Sequence, residues 1–130
     1  MIIARSPSIS QEKWRSLLAE AHIRKASPDL NAAVEALNQV RTKTNDPFGL
    51  NAGLAPYSGP MTASALLDEV FINRRAELFF TGVSLEDSRR FNRPEPQGSR
   101  VFTDERNRNF YPFPLRERNN NANTPANPPI

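Results

Sequence analysis

The chain contains no cysteine, so disulfides, thiolate metal centres and a cysteine nucleophile are excluded, and none of its 130 residues can carry a lipid on sulfur. Its single histidine, His22, cannot build a histidine-based metal centre alone, and no cofactor is expected. Long hydrophobic runs are also missing, so no stretch reads as a bilayer span. The opening MIIARSPSIS offers only Ile2, Ile3 and Ala4, too short for the core of a signal peptide. Charge of one sign is not concentrated anywhere. The net charge is +3 with a pI near 9.8, but arginines and acids alternate from Arg74 to Arg108, without the clustered basic patch that nucleic-acid binding needs. No nucleophile–base set is visible, and Glu20, Glu69 and Glu77 lack a paired carboxylate at an arguable distance. An enzyme is not expected.

What is present is uneven. Hydrophobic residues make up 38% of the chain and gather in three segments, while 12 prolines help to thin out the loop near 44–60 and the tail after 92. A core drawn from part of a chain leaves apolar faces uncovered unless something packs on them, so a partner surface is expected. The reading is a single domain or fragment over 1–130, with a helical body at about 10–91 and an extended tail at 92–130.

The densest signal is LLDEVFINRRAELFFTGVSLEDSRRF, from Leu66 to Phe91. On a helical wheel Ala63, Leu67, Phe71 and Leu78 share one side, with Val70 at its edge and Arg74 in its middle. A buried guanidinium requires partners, so Arg74 and Glu77 are expected to form a structural ion pair, with Arg90 or Asp87 joining once the chain has turned. Gly82 suits a left-handed helix end, and Ser84 with Asp87 suits the cap of a short helix through Leu85 to Phe91.

Upstream, Ser10 suits the cap of a helix over Gln11 to Lys25, whose Trp14, Leu17, Leu18 and Ala21 form an apolar face. Ala21 would admit a neighbouring helix closely, Trp14 reads as packing sooner than as a sugar-stacking platform, and His22 reads as a helix-face residue. Asp29 or Ser27 caps the next helix, Leu30 to about Thr42, with Leu30, Ala33, Val34, Leu37 and Val40 on one side. So short a connection predicts an antiparallel, tetratricopeptide-like hairpin, and the fold class is mainly α: this hairpin, a long helix beginning at Thr62 or Ser64, and an extended Pro-rich C-terminal segment. In the loop at 43–60, Tyr57 either stacks on a sugar or plugs the loop onto the helices, and the plug is favoured. Phe110, Tyr111, Phe113 and Leu115 interleave with Pro112 and Pro114 as an extended strip with its aromatics inward.

Taken together, Ala19-Glu20-Ala21, Leu37-Asn38 with Val40-Arg41, Arg74-Arg75 with Glu77, Leu78, Phe80 and Gly82, then Asp87, Arg89 and Arg90, and finally Phe110 to Pro114 with Glu117 resemble the C-terminal pattern of the RagB/SusD family. The resemblance covers about residues 14–123. Departures are Asn73 and Thr81, where the family often has glutamate, and Val83-Ser84, where it has a His-Arg pair. The resemblance implies one portion of a SusD-like outer-membrane lipoprotein, facing outward from the cell. Its implied role is carbohydrate binding for nutrient uptake in polysaccharide utilisation, without catalysis. The implied partners are a glycan or other nutrient, a TonB-dependent transporter and further N-terminal helices. Arg74, Glu77, Gly82, Asp87 and Arg90 carry over as scaffold positions only, leaving Tyr57 and Trp14 as ligand-binding candidates. The competing expectation is a free-standing helical-hairpin adaptor that binds a protein along its exposed apolar face.

Overall fold

A computed structural model of the chain describes residues 9–45, 51–79, 81–94 and 111–126. The described residues contain five helices and no strand: α1 (Ile9–Arg24), α2 (Leu30–Arg41), α3 (Ala63–Glu77), α4 (Ser84–Arg90) and α5 (Leu115–Asn120). The protein is mainly α, as expected. It divides into two compact units, Met1–Ser84 and Leu85–Ile130.

In the first unit α1, α2 and α3 each pack on the other two. Asp29 caps α2, its carboxylate accepting the Ala32 amide at 3.0 Å. That hydrogen bond, opposed by some desolvation and reinforced by Lys25 and His22, holds the Asp29 carboxyl below its ordinary value of 3.8. A depressed folded pKa gives stability that is complete above the unfolded value and disappears as acid protonates the cap. Asp29→Asn is therefore expected to flatten the acid limb of the stability–pH curve below about pH 4, read by urea midpoints across pH. Thr62 caps α3 in the same way, accepting the Ala65 amide at 3.3 Å.

The α1–α2 pair is antiparallel. Lys43, just past the end of α2, reaches Glu12 near the start of α1 at 3.1 Å, while Asp29 N donates to the carbonyl of His22 across the turn. The core is small: Ala19 and Ile23 of α1, Ala33, Ala36, Leu37 and Val40 of α2, and Leu66, Val70, Phe71 and Leu78 from α3 and its C-cap.

The face that α1 turns inward is a correction. Trp14, Leu18 and Ala21 were expected to pack, but Trp14 is 69% exposed, Leu18 is 50% exposed and Ala21 also faces solvent. The opposite face is buried, through Glu12, Ser16, Ala19, Glu20 and Ile23, and Ala19 takes the close-approach position expected of Ala21. The cause is electrostatic. Lys43 and Arg74 bring buried cations into the unit, and a buried cation needs carboxylates beside it. Only the Glu12–Glu20 side of α1 supplies them.

Helix α3 stops earlier than the glycine signal implied. Leu78 is its C-cap, and a turn follows in which both the amide and the hydroxyl of Thr81 donate to the Leu78 carbonyl, at 3.1 and 2.6 Å. Gly82 lies beyond this turn with φ +83°, and a Cβ built there would meet nothing within 4 Å. Any penalty at Gly82 is thus one of backbone conformation. Gly82→Val is expected to lower stability by about 1–2 kcal/mol and Gly82→Asn by less, read from denaturant midpoints.

In the second unit α4 ends in a Schellman motif: Asn92, at φ 53°, donates to the Arg89 carbonyl and Arg93 donates to that of Ser88. Asparagine is the side chain that best tolerates this conformation after glycine. The Pro-rich segment is irregular over 111–114 and then closes into α5, with Pro114 in the N-cap position. Tyr111 and Leu115 are exposed at 62% and 63%, so the inward-facing strip does not form at these positions, and Phe113 is half-buried. Proline at the cap fixes a φ compatible with helix entry, which turns Leu115 out of the strip. Phe110 lies outside the described residues, as does Phe80.

Candidate functional site

The most distinctive chemistry of the first unit is a set of charges inside the three-helix packing. Lys43 stands between two carboxylates, 3.1 Å from Glu12 Oε1 and 3.5 Å from Glu77 Oε2. Its side chain is 10% exposed, against 4% and 5% for the glutamates. One ammonium thereby joins the start of α1, the exit of α2 and the end of α3. Ser16 closes the turn of α1 behind Glu12, its hydroxyl donating to the Glu12 carbonyl at 2.7 Å.

A second charged contact lies alongside. Arg41, the last residue of α2, pairs with Glu69 of α3, and the Asn73 amide donates to the carboxylate and the carbonyl of Glu69, each at 2.8 Å. Asn73 thus supports the Arg41–Glu69 bridge. Arg74 is 2% exposed, as its place in the apolar stripe required, and it is partnered there. Glu77 reaches Lys43, which lies in the segment that the sequence predicts as loop. In the second unit Asp87 is buried and accepts from Arg90 at 2.9 Å, and the Arg90 guanidinium also lies 5.1 Å from the centre of the Phe91 ring.

The carboxylates first considered as acids are therefore occupied. Glu20 holds Arg24 at 2.8 Å, Glu69 holds Arg41 and Glu77 holds Lys43. Among the described residues no group of His, Asp and Glu is arranged to hold a metal ion. Lys43 and Arg41 tie the end of α2 to α1 and α3.

The two aromatic candidates sit in different settings. Tyr57 belongs to a loop laid back along α2: Gly53 N donates to the Lys43 carbonyl at 2.9 Å, Leu54 N to that of Arg41 at 2.8 Å, and Tyr57 N to Asn38 Oδ1 at 2.8 Å. Its hydroxyl donates to the Pro60 carbonyl at 3.0 Å, and its ring occupies the space where a Cβ on Gly59 would sit. Trp14 stands open on the outer face of α1, with no hydrogen bond or ring contact among the described residues. The structure does not bring the two together as one site. The signal for the buried charges was present in the sequence as Glu12, Lys43 and Glu77, but their helical faces had to be known to connect them.

A family model described as the SusD family matches residues 17–128. The chain belongs to the SusD family. No curated protein and no solved structure matches it. SusD-family proteins are in general non-enzymatic binding proteins of the bacterial cell surface that work with TonB-dependent transporters. In this member the matched span takes in α2, α3, α4 and α5 whole, with α1 from Leu17 onward, and so contains Arg74, Glu77, Gly82, Asp87 and Arg90.

Proposed function

We propose that this SusD-family chain acts mainly as scaffold in the capture of a glycan or related nutrient at the outward face of a bacterial outer membrane, where the nutrient passes to a TonB-dependent transporter. The observation that carries this reading is the family match over residues 17–128. The occupied carboxylates support it, because a general acid or base must be free to exchange its proton with substrate. Arg74, Glu77, Gly82, Asp87 and Arg90 then shape the body on which ligand-binding loops stand. Of the two ligand candidates, Tyr57 has its hydroxyl committed within its own loop, and Trp14 alone offers an open ring.

The test is recovery of the tagged protein from the membranes of its own cells, followed by assay of the isolated protein on polysaccharides. Co-purification of a TonB-dependent transporter, with glycan binding but no release of sugar, is the expected result. Hydrolysis by the purified protein, or recovery without any transporter, contradicts the proposal.

A further inference from the structure

Residues 51–60 belong to the connection between α2 and α3 and form neither helix nor strand. None of them is buried: Leu54 is 49% exposed, and only Ala52 and Tyr57 are half-buried. The segment is attached by hydrogen bonds to the end of α2. The Gly53 and Leu54 amides donate to the carbonyls of Lys43 and Arg41, and the Tyr57 amide donates to Asn38 Oδ1. Arg41 returns the contact, its Nε donating to the Ala55 carbonyl at 3.3 Å. The same guanidinium pairs through Nη1 with Glu69 of α3. Farther along, the Tyr57 hydroxyl donates to the Pro60 carbonyl, so the chain from 57 to 60 closes on itself.

We infer that residues 51–60 form a strap that opens as one unit while α1, α2 and α3 stay folded, and that the Arg41–Glu69 bridge holds the strap closed. A segment that buries little apolar surface and is held by solvent-exposed hydrogen bonds opens at a much lower cost than a core. Helix α2 is the contrast, since it buries Ala33, Ala36, Leu37 and Val40 and so stays in place when the strap lifts. Opening is concerted because the anchors at 53, 54, 55 and 57 are so close along the chain that a backbone leaving one loses its hydrogen-bond geometry at the next. The link to Glu69 runs through the shape of Arg41. The donors of a guanidinium are fixed relative to one another, so the carboxylate that orients Nη1 also aims Nε at the Ala55 carbonyl. Asn73 in turn holds the Glu69 carboxylate at 2.8 Å. Tyr57 travels with the strap, so its opening and closing decide where the ring of this ligand candidate stands.

The test is amide hydrogen exchange of the full chain by NMR, at rising urea concentrations below the unfolding transition. The amides of Gly53, Leu54 and Tyr57 are expected to share one protection factor, at least about tenfold below that of Leu37 and Val40, with little dependence on urea. Asn38→Ala removes the acceptor of the Tyr57 amide and puts a better helix former in α2. It is expected to speed exchange at all three strap amides by about threefold to tenfold and to leave Leu37 and Val40 no faster. Glu69→Gln is expected to speed the same three by about threefold. Strap amides with the protection and urea dependence of Leu37 and Val40 overturn the inference, because the segment would then open only with the helices. Faster exchange of Tyr57 alone in Asn38→Ala overturns the single unit, and unchanged strap exchange in Glu69→Gln overturns the hold of the bridge.

Discussion

Lys43→Met is expected to destabilise the protein by about 3–5 kcal/mol, the range for removing one member of a buried ion pair. The substitution keeps most of the side-chain volume and takes away the charge. Glu12 and Glu77, whose side chains are 4% and 5% exposed, would then approach one another without the ammonium between them. The loss therefore comes from desolvated like charge more than from packing. Second-site rescue separates the two: adding Glu12→Gln to Lys43→Met should restore part of the loss, because it removes one of the opposed carboxylates. Equilibrium urea unfolding of the single and double variants measures this directly. A loss below about 1 kcal/mol for the single variant would place Lys43 in solvent, where ion pairs contribute little.

Arg74→Ala is the second change with a large expected effect, again about 3–5 kcal/mol, since it leaves the groups around a buried guanidinium unpaired and opens a cavity. Arg74 is 2% exposed on the face of α3 that also buries Leu66, Val70 and Phe71. Arg74→Lys should recover only part of the loss, because an ammonium cannot reproduce the planar donor fork of arginine. A thermal midpoint for Arg74→Lys equal to that of the parent would show that charge alone is needed there. A loss for Arg74→Ala below about 1 kcal/mol would show that the residue is solvated.

Much of the helical body was legible because local rules decide it. Asp29 and Thr62 mark the starts of α2 and α3 by the same capping chemistry that the sequence displays. Arg74 declared its burial by standing inside an apolar stripe, and Gly82 declared a positive φ. The extent of α3 was less legible, since a turn closed by Thr81 intervenes between Leu78 and Gly82.

Helix α1 shows why the rest was hidden. Hydrophobic periodicity measures which residues share a face, and it chose Trp14, Leu18 and Ala21. It cannot weigh that face against an opposite one when long-range charges decide between them. Lys43 is 31 positions from Glu12 and 34 from Glu77, within a stretch that reads as loop. No local pattern links the three. The family was recognisable in the sequence for the converse reason, since its motifs are ordered along the chain and need no knowledge of which face is buried.

The register of α1, acidic side inward and Trp14 outward, is measured most directly by collisional quenching of tryptophan emission. In the full chain at low ionic strength, the emission of Trp14 should be that of a water-exposed indole, independent of protein concentration. Iodide should quench it strongly and caesium weakly, because Lys13 and Arg15 attract the anion. Blue-shifted emission resistant to both ions, in a dilute monomer, would put Trp14 in the core and contradict the buried Glu12–Lys43–Glu77 arrangement.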